Sequence, residues 1–321
     1  MTQKQEINIM TSCDNNLAKQ IPVLLQSIAD NLAHKKVNFF LFHSSVEEEK
    51  IQLMQKLCAH YGNISFYEVV VPHPEIYAEL AKRGGGWSGA AYYSLCAHQL
   101  LSDEVDRVLY LDAGDVLVME DIDPYYYADF EGKSIIATMI SYKTYGNKME
   151  PFEAEDMAIQ DFLKHILRGV FNSGSYILNL DKIRKDGYTL GDFCYLSDRI
   201  AEMQQTNEKA YFGDQGLLSA AYVGDIKYYD FPEFQDLWHM PYNFCLWYFN
   251  SRSEAPDYET KIVHFAGAPF KPWRAKYERF LEAFQEKEQI HDLAELKAGQ
   301  VAYYEKWYEY ARRVSDIIDK L

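Results

Sequence analysis

Short apolar runs alternate with longer amphipathic segments along most of the chain. Ile7–Met10, Val37–Phe42, Ile64–Val71 and the run that ends at Asp112 are short and almost continuously apolar, as expected of strands covered on both faces. Between them Ala18–Leu32, Val46–Tyr61 and Ala90–Leu101 carry helical spacing. Farther along, Ile135–Met139, Tyr176–Leu180 and Lys261–Phe265 read as strands, and Leu190–Gln204 and Asp214–Tyr222 as helices. This alternation predicts an α/β/α sandwich with a mostly parallel central sheet. The punctuation is a polar loop at Thr11–Asn16, a glycine-rich connector at Arg83–Gly89 and a proline-stiffened loop at Gly267–Trp273. Met149–Phe162 is acidic and lacks a clear period, as a lid or an acceptor-facing insertion would. From Lys276 to Leu321 the pattern is helical, so the expected division is a main domain over 1–275 and a helical extension over 276–321. No internal repeat interrupts this reading.

Composition narrows the function classes. A chain of 321 residues is long enough to bury a large core, and 48% hydrophobic with 25% charged residues is ordinary for a globular protein. The formal net charge of −16 argues against a nucleic-acid surface. It also means that a phosphate-bearing ligand must be met by local cations or a metal. The five cysteines are scattered, which argues against a disulfide framework or zinc knuckle and fits a reduced compartment. Lys4, Glu6 and Asp14 flank a short apolar core, unlike a signal peptide, and no apolar run reaches the roughly 20 residues that span a bilayer. The expected location is cytoplasmic.

The candidate chemistry concentrates in Arg107–Val118, where an apolar run breaks at Asp112 and Asp115 and then resumes. Carboxylates at the tip of a buried strand are costly without a positive partner, and ligands of α/β sheets sit at the carboxyl ends of strands. A hard cation bridging both groups to a ligand phosphate satisfies both facts. An i, i+3 pair does not converge in a regular strand, but Gly114 can adopt positive φ and re-aim Asp115. An ordinary strand-to-turn junction would also use Asp and Gly here. His264 ends a later apolar run and could complete a coordination shell or be a satisfied core histidine. Lys271 could neutralise a diphosphate or lie on the surface. Asn172 and Gly174 open a strand as a turn or as ligand contacts, and Asp214 is placed to cap a helix or meet a substrate.

In order, these segments resemble glycosyltransferase family 8, retaining sugar transferases of GT-A fold that include bacterial lipooligosaccharide galactosyltransferases and glycogenin. The resemblance covers roughly residues 6–275 and runs through Ile9–Asn16, Ala91-Tyr92-Tyr93, Leu109–Asp112, Phe171–Gly174, Asp214-Gln215 and His264–Trp273. It implies that Asp14 and Asn16 contact the nucleoside, and that Lys271 with the Gly267 backbone holds the diphosphate. Asp112, Asp115 and His264 would hold Mn²⁺ or Mg²⁺. The implied donor-binding set is Thr11, Ser12, Asp14, Asn16, Asp112, Ala113, Gly267 and Lys271. Asn172, Asp214 and Gln215 would surround the donor sugar as the catalytic group.

The implied reaction moves a hexose, glucose or galactose, from a UDP-sugar to a hydroxyl of a glycan, lipid-linked glycan or glycoprotein, with retention at the anomeric carbon. The chain departs from the family pattern in three places. Its Asp-x-Asp motif holds one extra residue, its His-to-Trp loop is one residue longer, and Ser94 stands where the family carries a basic residue. These departures keep open a non-catalytic nucleotide-sugar-binding subunit, and a scaffold without UDP affinity. Among 26 tyrosines and five tryptophans, Trp238, Tyr242 and Trp247 are acceptor-stacking candidates, although core filling suits most tyrosines. Residues 142–169 and the tail are the expected acceptor-facing regions. The tail from Tyr303 to Leu321 could touch an anionic membrane or serve as a packing or oligomer helix.

Overall fold

The computed structural model describes residues 6–139, 142–145, 148–151, 166–167, 169–205, 209–228, 234–236, 261–265, 271–273 and 293–321. The strands are β1 (Glu6–Ser12), β2 (Lys36–His43), β3 (Ile64–Val70), β4 (Arg107–Leu111), β5 (Val116–Val118) and β6 (Ile135–Met139). They continue as β7 (Tyr142–Tyr145), β8 (Lys148–Pro151), β9 (Phe171–Asn179), β10 (Ile226–Tyr228), β11 (Phe234–Asp236) and β12 (Ile262–His264). A seven-stranded sheet runs in the order β10-β6-β9-β4-β1-β2-β3. All its pairings are parallel except those of β9, which is antiparallel to β4 and β6. A separate three-stranded sheet runs β11-β12-β5, and β7 and β8 form a hairpin.

The continuously apolar strands feed two cores. Ile7, Ile9, Phe39, Leu41, Leu109 and Leu111 face one cluster, packed with the helices Ile21–Asn31 and Glu48–Tyr61. Their alternates Met10, Phe40, Phe42, Val108 and Tyr110 face the other, packed with Pro74–Arg83, Leu190–Met203 and Gly213–Ala221. Side chains of a strand alternate between faces, so only a sheet covered on both sides needs both sets apolar. This is the predicted α/β/α layering.

Several elements differ from expectation. Ala90–Leu101 is a 3₁₀ segment over Gly89–Cys96 followed by one α turn, Ala97–Leu100. Tyr92 through Cys96 are all buried, so the segment has no solvent face to impose a 3.6-residue period. The strand expected at Tyr176–Leu180 starts earlier, at Phe171, and stops at Asn179, whose side chain caps the next helix by accepting from the Lys182 N–H at 3.2 Å. The hairpin β7–β8 takes up the start of the acidic insertion, and 152–165 lie outside the described residues.

The C-terminal helix Leu293–Ile318 is not a loose appendage. Trp307, Tyr310 and Val314 are buried, and Trp307 and Tyr310 share a third cluster with Val23, Leu117, Val263 and Phe265. No described helix is long and apolar enough to cross a membrane.

Candidate active site

The acidic pair converges because the chain turns sharply after β4. The Asp112 N–H donates to the Gly174 carbonyl on β9 at 3.0 Å, which extends the sheet by one rung. Gly114 then takes a φ of +72°, and a Cβ there would lie 2.2 Å from the Gln20 Cβ. Only glycine allows this turn. Asp115 leads into β5, where Val116 pairs antiparallel with His264 on β12. The Asp115 carbonyl also accepts from the Phe265 N–H at 2.7 Å. The imidazole is pressed against β9, since a Cβ on Gly174 would lie 2.2 Å from His264 Cε1. Register and two glycines thus bring one ligand atom each of Asp112, Asp115 and His264 within 4.8 Å of one another.

Within this group, His264 Nε2 lies 3.4 Å from Asp112 Oδ2. The Lys271 ammonium pairs with Asp115 Oδ2. Asp115 Oδ1 is buried with no hydrogen-bond partner among the described residues. Two carboxylates and one imidazole suit a divalent cation that accepts oxygen and nitrogen donors together. The unsatisfied Oδ1 is what such an ion would relieve.

The electrostatics follow from crowding. Burial pushes Asp115 up to about 6, against the pull of Lys271 and with a further push from Asp112. Burial also opposes ionisation of Asp112, but the hydrogen bond and charge of His264, then Lys271 and Tyr110, outweigh it and hold Asp112 below the ordinary carboxylate range. Tyr110 is fully buried, donates to Asp112 Oδ1 at 2.9 Å and lies 3.1 Å from Ser12 Oγ. Asp214 is pushed up to about 7, first by burial and then by the negative Asp112.

The expected sugar-side residues gather around the start of β9. Asn172 is 1% exposed, and its Oδ1 accepts from the Gly174 N–H at 2.8 Å. Gln215 Oε1 accepts from the Ser173 N–H at 3.3 Å. Gly169, at φ +91°, lies so close that a Cβ would meet Gln215 Cγ at 2.4 Å. Asp214 is not the helix cap: the helix begins at Gly213, the N-cap is Phe212, and Asp214 sits in the first turn. Its carboxylate is hydrogen-bonded to the Ser173 side chain and to the backbone of Asp214 and Gln215.

The loop Thr11–Asn16, the expected nucleoside contact, is partly engaged with itself. Asp14 Oδ1 accepts from the N–H groups of Asn16 and Leu17 at 2.9 and 3.0 Å. Asn16 is exposed, Ser12 meets Tyr110, and Thr11 Oγ1 is buried with no hydrogen-bond partner among the described residues. Ala113 is buried in the core, so only its backbone faces the site. Ser94 is buried near the Tyr176 hydroxyl. Gly267, Trp238, Tyr242 and Trp247 lie outside the described residues. The role of Tyr110 in holding Asp112 was missed. Its signal was a polar group two positions before Asp112 on the same strand face.

The family model for glycosyl transferase family 8 matches residues 8–277. The chain belongs to glycosyl transferase family 8. It is therefore an enzyme, a hexosyltransferase by family, and the expected resemblance is borne out. Lipopolysaccharide 1,2-glucosyltransferase of Escherichia coli is 22% identical over 85% of this chain and 75% of its own length. General stress protein A of Bacillus subtilis (strain 168) is 24% identical, over 85% of this chain and 90% of its own. The fold is similar to that of galactosyltransferase LgtC, solved with donor and acceptor sugar analogs, with a TM-score of 0.60 at 21% identity over 91% of this chain and 100% of that one. This likeness supports the GT-A-type architecture.

Proposed function

We propose that this family 8 enzyme transfers glucose or galactose from a UDP-sugar to a hydroxyl of a glycan or lipid-linked glycan, with retention and with Mn²⁺ or Mg²⁺ held by Asp112, Asp115 and His264. The carrying observation is the convergence of those three ligand atoms within 4.8 Å, with Lys271 against Asp115. Two named relatives support a hexose donor and a glycan acceptor: one is a lipopolysaccharide glucosyltransferase, the other a galactosyltransferase. We place the reaction in the cytoplasm, with lipid-linked acceptors met at the inner membrane face.

When bound, the divalent ion would supply positive charge against the diphosphate as its bond to the sugar breaks. Lys271 adds a second positive charge to the same leaving group. Tyr110 and His264 keep Asp112 ionised, ready to serve as a ligand. Thr11, Ser12, Asp14 and Asn16 would receive the nucleoside.

On the sugar side, an amide is a poor nucleophile. A double displacement through Gln215 is therefore disfavoured, unlike the carboxylate-based chemistry of retaining glycosidases. The reading that fits is front-face attack. The acceptor oxygen bonds to the anomeric carbon on the side the UDP leaves, the bond from that carbon to the phosphate oxygen breaks, and the acceptor's proton passes to that oxygen. Gln215, oriented by the Ser173 N–H, would hold the sugar and steady its positive charge. Asp214, part protonated near neutral pH, can both donate to and accept from a sugar hydroxyl.

The test is UDP release from a panel of UDP-sugars, run with Mn²⁺ and with chelator. The reading expects hydrolysis of UDP-glucose or UDP-galactose that the chelator abolishes. UDP binding without turnover on any donor would instead indicate a nucleotide-sugar-binding subunit.

A further inference from the structure

We infer that the C-terminal helix is a working part of the donor site: Tyr308 and Trp307 hold the Lys271 loop in the position from which the lysine meets a nucleoside diphosphate. This rests on the donor reading proposed above. The Tyr308 hydroxyl donates to the Pro272 carbonyl at 2.6 Å. The rings of Trp273 and Trp307 lie 6.0 Å apart at 37°. The Lys271 ammonium stands 5.8 Å from the centre of the Trp273 ring. Each residue of Lys271-Pro272-Trp273 is thereby tied, directly or through its neighbour, to the helix.

The helix is itself fixed to the site's foundations. Asn31 donates to the Tyr310 hydroxyl at 2.8 Å and to the Val118 carbonyl at 2.9 Å, so one side chain joins the helix to β5, the strand that begins beside Asp115. Arg313 pairs with Asp30. Val263 and Phe265, which flank His264, share the Trp307 cluster. The same helix therefore braces the imidazole's neighbours and the lysine loop.

The physical need is clear. A lysine is a flexible four-carbon stem, and fixing it costs rotamer freedom. Proline limits the backbone beside it but offers only a carbonyl for hydrogen bonding, and Tyr308 takes that carbonyl. The Trp307 ring belongs to the core, but the Tyr308 hydroxyl does not: it reaches a loop, and a phenylalanine would fill the same space. The hydroxyl's contribution is position rather than packing, which makes Tyr308 a positioning residue.

Calorimetry of UDP and UMP binding in Mn²⁺ tests this, with thermal melting as a control. Lys271 acts on the diphosphate, so the informative quantity is the ratio of UDP to UMP affinity. Tyr308→Phe is expected to lower that ratio about fivefold, the worth of one hydrogen bond, with melting unchanged within about 2 °C. In a Lys271→Ala background the same change is expected to have no further effect. Trp273→Leu breaks the ring contact from the loop side and is expected to lower the ratio as well, an independent reading should Tyr308→Phe fold poorly.

A ratio unchanged in both variants, or a loss that persists without Lys271, would overturn the inference. Wild-type protein that binds UDP, with Lys271→Ala weakening it and Tyr308→Phe not, overturns the inference alone. Wild-type protein with no UDP affinity overturns the donor reading and this inference together.

Discussion

Strand β4 carries charge at both ends and treats it in opposite ways. At its start, Arg107 donates to the Tyr126 and Ala128 carbonyls at 2.6 and 3.2 Å, and its guanidinium stands 4.6 Å from the centre of the Phe130 ring. Arg184, in the helix Leu180–Asp186, is similarly engaged, donating to four carbonyls in 98–105. At the end of β4, Asp112 and Asp115 face an imidazole and an ammonium, and one Asp115 oxygen has no hydrogen-bond partner among the described residues. Charge tied to backbone carbonyls is scaffold. Charge gathered with other ligating groups and left short of partners is poised for something that arrives.

Mutations at the two ends should therefore separate activity from stability. The largest expected effect is Asp112→Ala, a loss of about 10³-fold in kcat/KM in a UDP-release assay with the fold intact by circular dichroism. Gly174→Ala pushes a methyl into the His264 ring, and Mn²⁺ affinity by calorimetry should fall about 100-fold, as when a metal ligand's supporting contact is lost. At the scaffold end, Arg107→Met should cost about 2 kcal/mol in denaturant unfolding, while kcat/KM stays within about twofold. An Arg107 variant that lost turnover at unchanged stability would break the contrast. Gln215→Ala should lower kcat roughly tenfold, as one lost positioning hydrogen bond would. Full turnover there would end its proposed role.

The smallest effect is a pH dependence. Asp214 at about 7 in the folded protein lies above its unfolded value of about 3.9. The native state then holds the extra proton between those values, so this group's contribution to stability declines as pH rises from about 4 through 7. Asp214→Asn removes the slope. Its melting temperature relative to wild type should be higher at pH 8 than at pH 5, by about 2 °C.

The poised end of β4 was the more legible in sequence, for a reason that can be traced. Two carboxylates at an awkward spacing around a glycine leave few structural solutions, and Gly114 at positive φ is the one adopted. The two cores were legible because both faces of the strands are apolar. The start of β9 was not. Phe171-Asn172-Ser173-Gly174 carries turn residues, yet the sheet holds it as strand, with the Gly174 carbonyl accepting from Asp112. Tertiary pairing there outweighs local preference. The brace from Tyr308 to Pro272 was also invisible, because a hydrogen bond across distant sequence leaves no periodic mark.

The reversed direction of β9 has one more consequence. Met139 at the end of β6 pairs with Phe171 at the start of β9. The chain between Met139 and Phe171 therefore begins and ends at a single rung, one position from Asn172. An excursion closed in this way can lengthen, shorten or change composition without shifting any strand register. On the proposed function, acceptor choice could diversify there while the strands that carry Asp112 and His264 stay as they are.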